Sequence, residues 1–303
     1  MRQRTLGSLT VSAVGLGCNT FGRDIGEDVA RTLVAEALDS GITFFDTADI
    51  YGHGNSEGIL GRALGSSRDD VVVATKFGNS AEGIPGGARP DYIFRAVERS
   101  LSELRRDWID LYQLHVPDPD TPMSETMGAI RELVDAGKIR TCGVSNFTPE
   151  QTREAARAGR DAGVPVVGIQ IEYSAVNREP ESSGLVDVCL EEGVSLLPYR
   201  PMAKGLLTGR MQRGDEPVRQ LAKERFHRFL TEENFALVDR IRGFAERHGH
   251  RPSDVAILWL LNRPGVSSVF PGATRPEQVR WNADAGSWDP SRDVLDELDE
   301  LVG

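Results

Sequence analysis

The sequence predicts an α/β protein: a (β/α)8 barrel of the TIM type, with an N-terminal β-hairpin and an extra loop and helix segment between strands seven and eight. Three observations lead there. Short runs rich in β-branched and apolar residues recur eight times, each followed by a helical pattern. The first seven begin 27 to 38 residues apart and the eighth follows after 72. The chain has 303 residues, the size of one such barrel and too short for two. The expected organisation is therefore a single barrel domain over 1–303.

The eight runs begin at Val14, Thr43, Val71, Ile109, Ile139, Val166, Val194 and Val266. Between them, Val29, Leu33, Val34, Ala37 and Leu38 recur at helical spacing and stop before Ser40-Gly41. Met127, Ile130, Leu133 and Val134 do the same before Gly137. The long last step holds the extra segment, about Pro201 to Arg228, then a helix near Glu232 to His248. Ahead of the first strand, Arg4 to Val11 reads as a hairpin turning at Gly7-Ser8, placed to plug the barrel floor. Trp108 and Trp259 lie in apolar runs and are expected in the core.

Composition narrows the function. Hydrophobic residues make up 39% and charged residues 27%, enough for a large core and unlike a disordered chain. No apolar run approaches the roughly 20 residues of a membrane helix. A net charge of −11 argues against nucleic acid as partner. Cys18, Cys142 and Cys189 are scattered, which fits a reducing compartment and excludes a disulfide framework or cysteine-rich zinc site. The start resembles a signal peptide faintly, but Gly7, Ser8, Thr10, Ser12 and Gly15 break its apolar stretch, so the cytoplasm is the expected location. Nothing in the sequence specifies an oligomeric state.

In such barrels chemistry gathers at the C-terminal ends of the strands. There stand Asp46, Tyr51, Lys76 and His115, far apart in sequence but facing one mouth. A phenol with a free pKa of about 10 is a poor acid near neutrality. An ammonium such as Lys76 stabilises its anion, a carboxylate such as Asp46 holds the ammonium, and His115 polarises a substrate oxygen. Such a group delivers a proton, and a hydride must come from a cofactor. Asp46 as a helix cap, Lys76 as a solvated lysine and His115 as a satisfied core histidine are the bland alternatives. Gly15-x-Gly17 and Gly52-x-Gly54 lack phosphate-loop spacing and are read as tight turns, and His248-x-His250 as a helix end with no metal. From Tyr199 to Arg228, eight Lys/Arg face three carboxylates, and Arg275 and Arg280 flank the last barrel helix. Both patches suit an anionic ligand.

The motifs Asp46-Thr-Ala-Asp-x-Tyr51-Gly-x-Gly-x-Ser-Glu57, Ala74-Thr-Lys76, Asp110-Leu-Tyr-Gln-Leu-His115, Gly143-Val-Ser-Asn-Phe147, Gln170-x-Glu-Tyr173 and Gly205-Leu-Leu-Thr-Gly209 together resemble the aldo-keto reductase superfamily. The resemblance spans nearly the whole chain. It implies reversible reduction of an aldehyde, ketone or sugar by NADPH, with Tyr51 as general acid in a tetrad with Asp46, Lys76 and His115. It further implies that Ser145, Asn146 and Gln170 hold the nicotinamide carboxamide and that Tyr199 stacks on the ring. Arg200, Pro201, Met202, Lys204, Gly205 and Leu206 would cover the pyrophosphate, and Gly272, Thr274, Arg275, Gln278 and Asn282 would meet the adenosine end.

Some positions depart from the family pattern. Arg200 replaces a common serine and Cys18 a common threonine. Gly272 and Gln278 replace a lysine and arginine that grip the 2′-phosphate in the mammalian branch, so Arg275 is the candidate replacement and NADH stays open. Asn19, Phe21, Phe77 and Val116, with Phe226 or Phe229, are the candidate substrate pocket. Two other readings remain: a lyase using Lys76 as a Schiff-base nucleophile, and a cofactor-binding regulatory protein with little turnover.

Overall fold

A computed structural model describes residues 1–81, 83–215 and 224–303, the side chains of 224–226 excepted. Strands β1 (Gln3–Leu6) and β2 (Leu9–Ser12) form the antiparallel hairpin. Seven strands follow in one parallel sheet: β3 (Leu16–Gly17), β4 (Phe44–Asp46), β5 (Val72–Phe77), β6 (Ile109–Leu114), β7 (Ile139–Ser145), β8 (Val166–Glu172) and β9 (Ser195–Tyr199), each beside its predecessor. The expected eighth strand pairs only through isolated bridges, Val14 with Val269 and Gly17 with Gly272 on one side, Leu196 with Val266 and Tyr199 with Phe270 on the other. It closes the ring without a continuous ladder. Pro198 and Pro271 have no N–H to give, and Ser267 and Ser268 turn their hydroxyls to the Thr5 and Ser12 carbonyls of the hairpin.

The helices α1 (Glu27–Asp39), α2 (Ser56–Leu64), α3 (Pro90–Leu104), α4 (Met123–Asp135), α5 (Pro149–Asp161), α6 (Glu179–Ser182) and α7 (Leu185–Glu192) precede α8 (Glu232–His248), α9 (Pro252–Leu261), α10 (Pro276–Ser287) and α11 (Arg292–Val302). Along α1, Ala30 is buried with Leu33, Val34 and Ala37, and Val29, expected on that face, is 41% exposed. The main core lies between sheet and helices. A second cluster fills the barrel floor, where Leu6, Leu9 and Val11 of the hairpin meet Phe44, Ala74, Leu111 and Leu197. Alternation along the strands then sets Asp46 above Phe44, Lys76 above Ala74 and Tyr199 above Leu197. An apolar floor thus carries a polar mouth.

One further expectation is corrected. Trp259 is buried, but Trp108 is half-buried, its ring between Arg106 and Arg140 and its indole N–H on Asp110 at 3.0 Å. A polar partner for the N–H and two guanidinium groups over the ring hold it at the rim of the core. The extra segment includes tight turns at Ala203–Thr208 and Glu224–Phe229. Of its expected cations, Arg219 and Lys223 lie outside the described residues, as do the side chains of Arg225 and Phe226. No described helix is long and apolar enough to cross a membrane.

Candidate active site

Lys76 on β5 is fully buried and would be costly there unless paired. Its ammonium donates to both Asp46 oxygens at 2.8 Å, to the Thr47 carbonyl at 2.7 Å and to the Tyr51 oxygen at 3.3 Å. Because the phenol oxygen accepts from Lys76, its own proton is left to face the cavity. Asp46 also receives the Gln170 amide at 2.7 Å. His115, just past β6, meets the Tyr51 ring edge-on with centroids 5.7 Å apart. Tyr51 opens a turn in which Gly52 has φ +59°, and a Cβ there would lie 2.1 Å from the Phe21 carbonyl oxygen. Only glycine lets the turn press so close.

Burial acts on each charge. It raises the Asp46 carboxyl above its ordinary value, against the pull of Lys76 and Gln170. It also works to lower Lys76, yet Asp46 and Tyr51 outweigh it and hold the ammonium above the usual value. Tyr51 is raised too, because burial exceeds the lowering effect of Lys76. Lys76 therefore does not bring the phenol below its free value. Tyr51 is kept as an acid, and Lys76 reduces the cost of its anion. His115 is pushed down to about 3 by burial and by Lys76, so its imidazole is neutral.

The remaining predicted residues divide. Asp46, Tyr51 and His115 line one cavity of about 430 Å³ with Asn19, Ser145, Asn146, Gln170, Tyr199, Arg200 and the 201–205 turn, and it continues to Gly272, Thr274 and Gln278. Ser145 donates to the Gln170 carbonyl at 2.9 Å. Asn146, at φ +62°, donates to the His115 carbonyl at 3.0 Å and accepts the Tyr199 hydroxyl at 2.8 Å. Arg200 and Lys204 hold left-handed backbones, φ +56° and +60°, and Arg200 pairs with Glu172 at 2.8 Å.

Others point elsewhere. Phe77 follows the inward Lys76 and so faces outward, stacked on Tyr112 at 4.5 Å. Phe21 and Leu206 are buried in the main core and Asn282 is buried, all off the cavity wall. Val116 is half-buried and off the wall, and Phe229 is buried. Arg275 is exposed and pairs with Glu277 at 3.1 Å, while the Gln278 oxygen accepts the Thr274 and Arg275 amides at the start of α10. Sequence reasoning missed Thr20, Arg23, Ile50, Asn79, Thr208 and Phe270 on the wall. Asn79 lies just past β5, at the strand end where the fold gathers its polar residues.

A buried carboxylate, ammonium and phenol are thus in contact at the barrel mouth, on the wall of a cavity that runs on to the start of α10. The Aldo/keto reductase family model matches residues 13–302, and the chain belongs to that family. It is similar to "Probable aldo-keto reductase 1" of Glycine max, 32% identical over 302 residues, covering 96% of this chain and 86% of that one. Against "Aldo-keto reductase yakc [NADP(+)]" of Schizosaccharomyces pombe, identity is 32% over 293 residues, covering 92% and 85%. The glycerol dehydrogenase AKR11B4 from Gluconobacter oxydans superposes with a TM-score of 0.85 at 30% identity, covering 99% of this chain and 94% of that one. The protein is an oxidoreductase of this family.

Proposed function

We propose that the protein reduces the carbonyl of an aldehyde, ketone or sugar to an alcohol with NADPH, reversibly, and that Tyr51 is the proton donor. The observation carrying this is the Lys76 ammonium, held by Asp46 and placed 3.3 Å from the Tyr51 oxygen at the wall of the cavity. The residues fit a nicotinamide dinucleotide. The Tyr199 ring faces the cavity, Ser145, Asn146 and Gln170 present polar groups beside it, and Arg23, Arg200 and Lys204 supply cations for phosphates. Arg275 at the start of α10 suits the 2′-phosphate. Three buried free cysteines fit a reducing, cytoplasmic setting.

When bound, the nicotinamide supplies a hydride to the carbonyl carbon. The substrate oxygen gains the Tyr51 proton as it becomes negative, and Lys76 stabilises the phenolate left behind. Neutral His115 offers a hydrogen bond to the same oxygen and no proton. Solvent then reprotonates Tyr51.

The test is NADPH oxidation against a panel of aldehydes, ketones and sugars, with alcohol oxidation by NADP+ measured in parallel. Turnover in either direction, faster with the phosphorylated cofactor than with NADH, is the expected result. Tight NADPH binding with no turnover in either direction would replace this reading with a cofactor-binding regulatory one.

A further inference from the structure

Across the mouth from Lys76, the ends of β8 and β9 carry a second ion pair that the proton transfer does not use. Glu172 and Tyr199 are partners in the strand register, so their side chains share the inner face of the sheet, and Arg200 follows Tyr199 directly. Arg200 Nη1 donates to Glu172 Oε2 at 2.8 Å, and its guanidinium carbon stands 5.3 Å from the centre of the Tyr199 ring. The Tyr199 hydroxyl donates to Asn146 Oδ1 at 2.8 Å, and the Asn146 amide donates to the His115 carbonyl at 3.0 Å. An unbroken chain of contacts thus runs from Glu172 to the tetrad. Arg200, Tyr199, Asn146 and His115 line the cavity, and Glu172 stands off its wall. The backbone of Arg200, at φ +56°, is costly for a long side chain and persists only where contacts hold it. Glu172 Oε1 is buried with no hydrogen-bond partner among the described residues, so the carboxylate depends on Arg200 to offset its charge.

We propose that Glu172 is a positioning residue for cofactor binding: by holding Arg200 over the Tyr199 ring, it fixes in advance the cation and the ring that receive the nicotinamide half of NADPH. This rests on the reductase reading above. A guanidinium has five N–H donors, so one can keep Glu172 while others serve an anionic ligand. Glu172 therefore need not be displaced when a phosphate arrives. An arginine already held in place is not ordered at the moment of binding, and the affinity keeps what that ordering would cost. Glu172 acts only through Arg200, and that dependence separates positioning from a general role in stability.

The experiment measures binding of NADPH, and of adenosine 2′,5′-bisphosphate, which lacks the nicotinamide half, by titration of Glu172→Gln, Arg200→Asn and the double variant. Asparagine is chosen because it tolerates the left-handed backbone. Glu172→Gln should raise the Kd for NADPH by about fivefold and leave that for the bisphosphate unchanged. In the Arg200→Asn background the same substitution should have no further effect. Equal weakening with and without Arg200, or of both ligands alike, would overturn the proposal. Tighter NADPH binding in Glu172→Gln would also overturn it, since the carboxylate would then compete with the cofactor for Arg200. Hydrogen exchange in the ligand-free protein needs no cofactor: the Ala203 N–H, which donates to the Arg200 carbonyl at 2.9 Å, should exchange faster in Glu172→Gln. Unchanged exchange there overturns the hold on Arg200 whether or not the reductase reading survives. Failure of the unaltered protein to bind NADPH, with the exchange difference intact, would count against that reading and not against the hold.

Discussion

Replacing Lys76 with methionine removes the cation and keeps most of the side-chain volume. At 3.3 Å and an effective dielectric near 20, ammonium and phenolate attract by about 5 kcal/mol. If half of that charge has developed in the transition state, the barrier rises by about 2.5 kcal/mol, or roughly 60-fold in rate. The variant also strands the Asp46 carboxyl, which keeps only Gln170 as a partner and takes up a proton. Single-turnover NADPH oxidation under saturating cofactor measures the effect, with NADPH affinity followed separately by fluorescence. The expected outcome is a fall of roughly 60-fold in the chemical step with affinity within about threefold of wild type. A chemical step within about threefold of wild type would refute the claim that Lys76 stabilises the Tyr51 anion.

Further consequences follow from the same geometry. Gly52→Ala forces a Cβ to within 2.1 Å of the Phe21 oxygen at φ +59°, so it should cost roughly 1–3 kcal/mol and lower kcat more than NADPH affinity, as thermal unfolding and cofactor titration would report. His115 is depressed by burial and Lys76, so the folded state binds fewer protons than the unfolded one between about pH 3 and 6.5. Its contribution is intact above that window and is lost as pH falls through it, at up to about 1.4 kcal/mol per unit, and His115→Gln should flatten the acid side of a Tm profile. Asp49 has the opposite sign, since a raised carboxyl costs stability as pH rises. Arg275→Ala should raise KM for NADPH by about tenfold and leave KM for NADH unchanged in steady-state assays.

The strand-and-helix alternation was legible because each run carries its own period and stop signal. The tetrad was legible because its members stand at strand ends, where the fold must present side chains to one mouth. Phe77 shows a different limit. Its period of two from Lys76 already implied an outward ring, but aromatic character drew it into the expected pocket. Val29 and Ala30 compete for one helix face, and the final rotation depends on how α1 packs beside α2 and α10. The broken eighth ladder depends on the register in which Phe270 meets Pro198 and Tyr199 across the closure, which no local pattern states. Asp49 meets Tyr92 and Arg99 of α3, some 40 to 50 residues on, a contact that no local pattern states.

The central claim is that Tyr51 gives the proton. Tyr51→Phe removes only the hydroxyl, and a single-turnover measurement with bound NADPH and an accepted carbonyl isolates the step. The account predicts NADPH affinity within about threefold of wild type and a hydride-transfer rate reduced by 100-fold or more, roughly the worth of a general acid. A rate equal to wild type would contradict it.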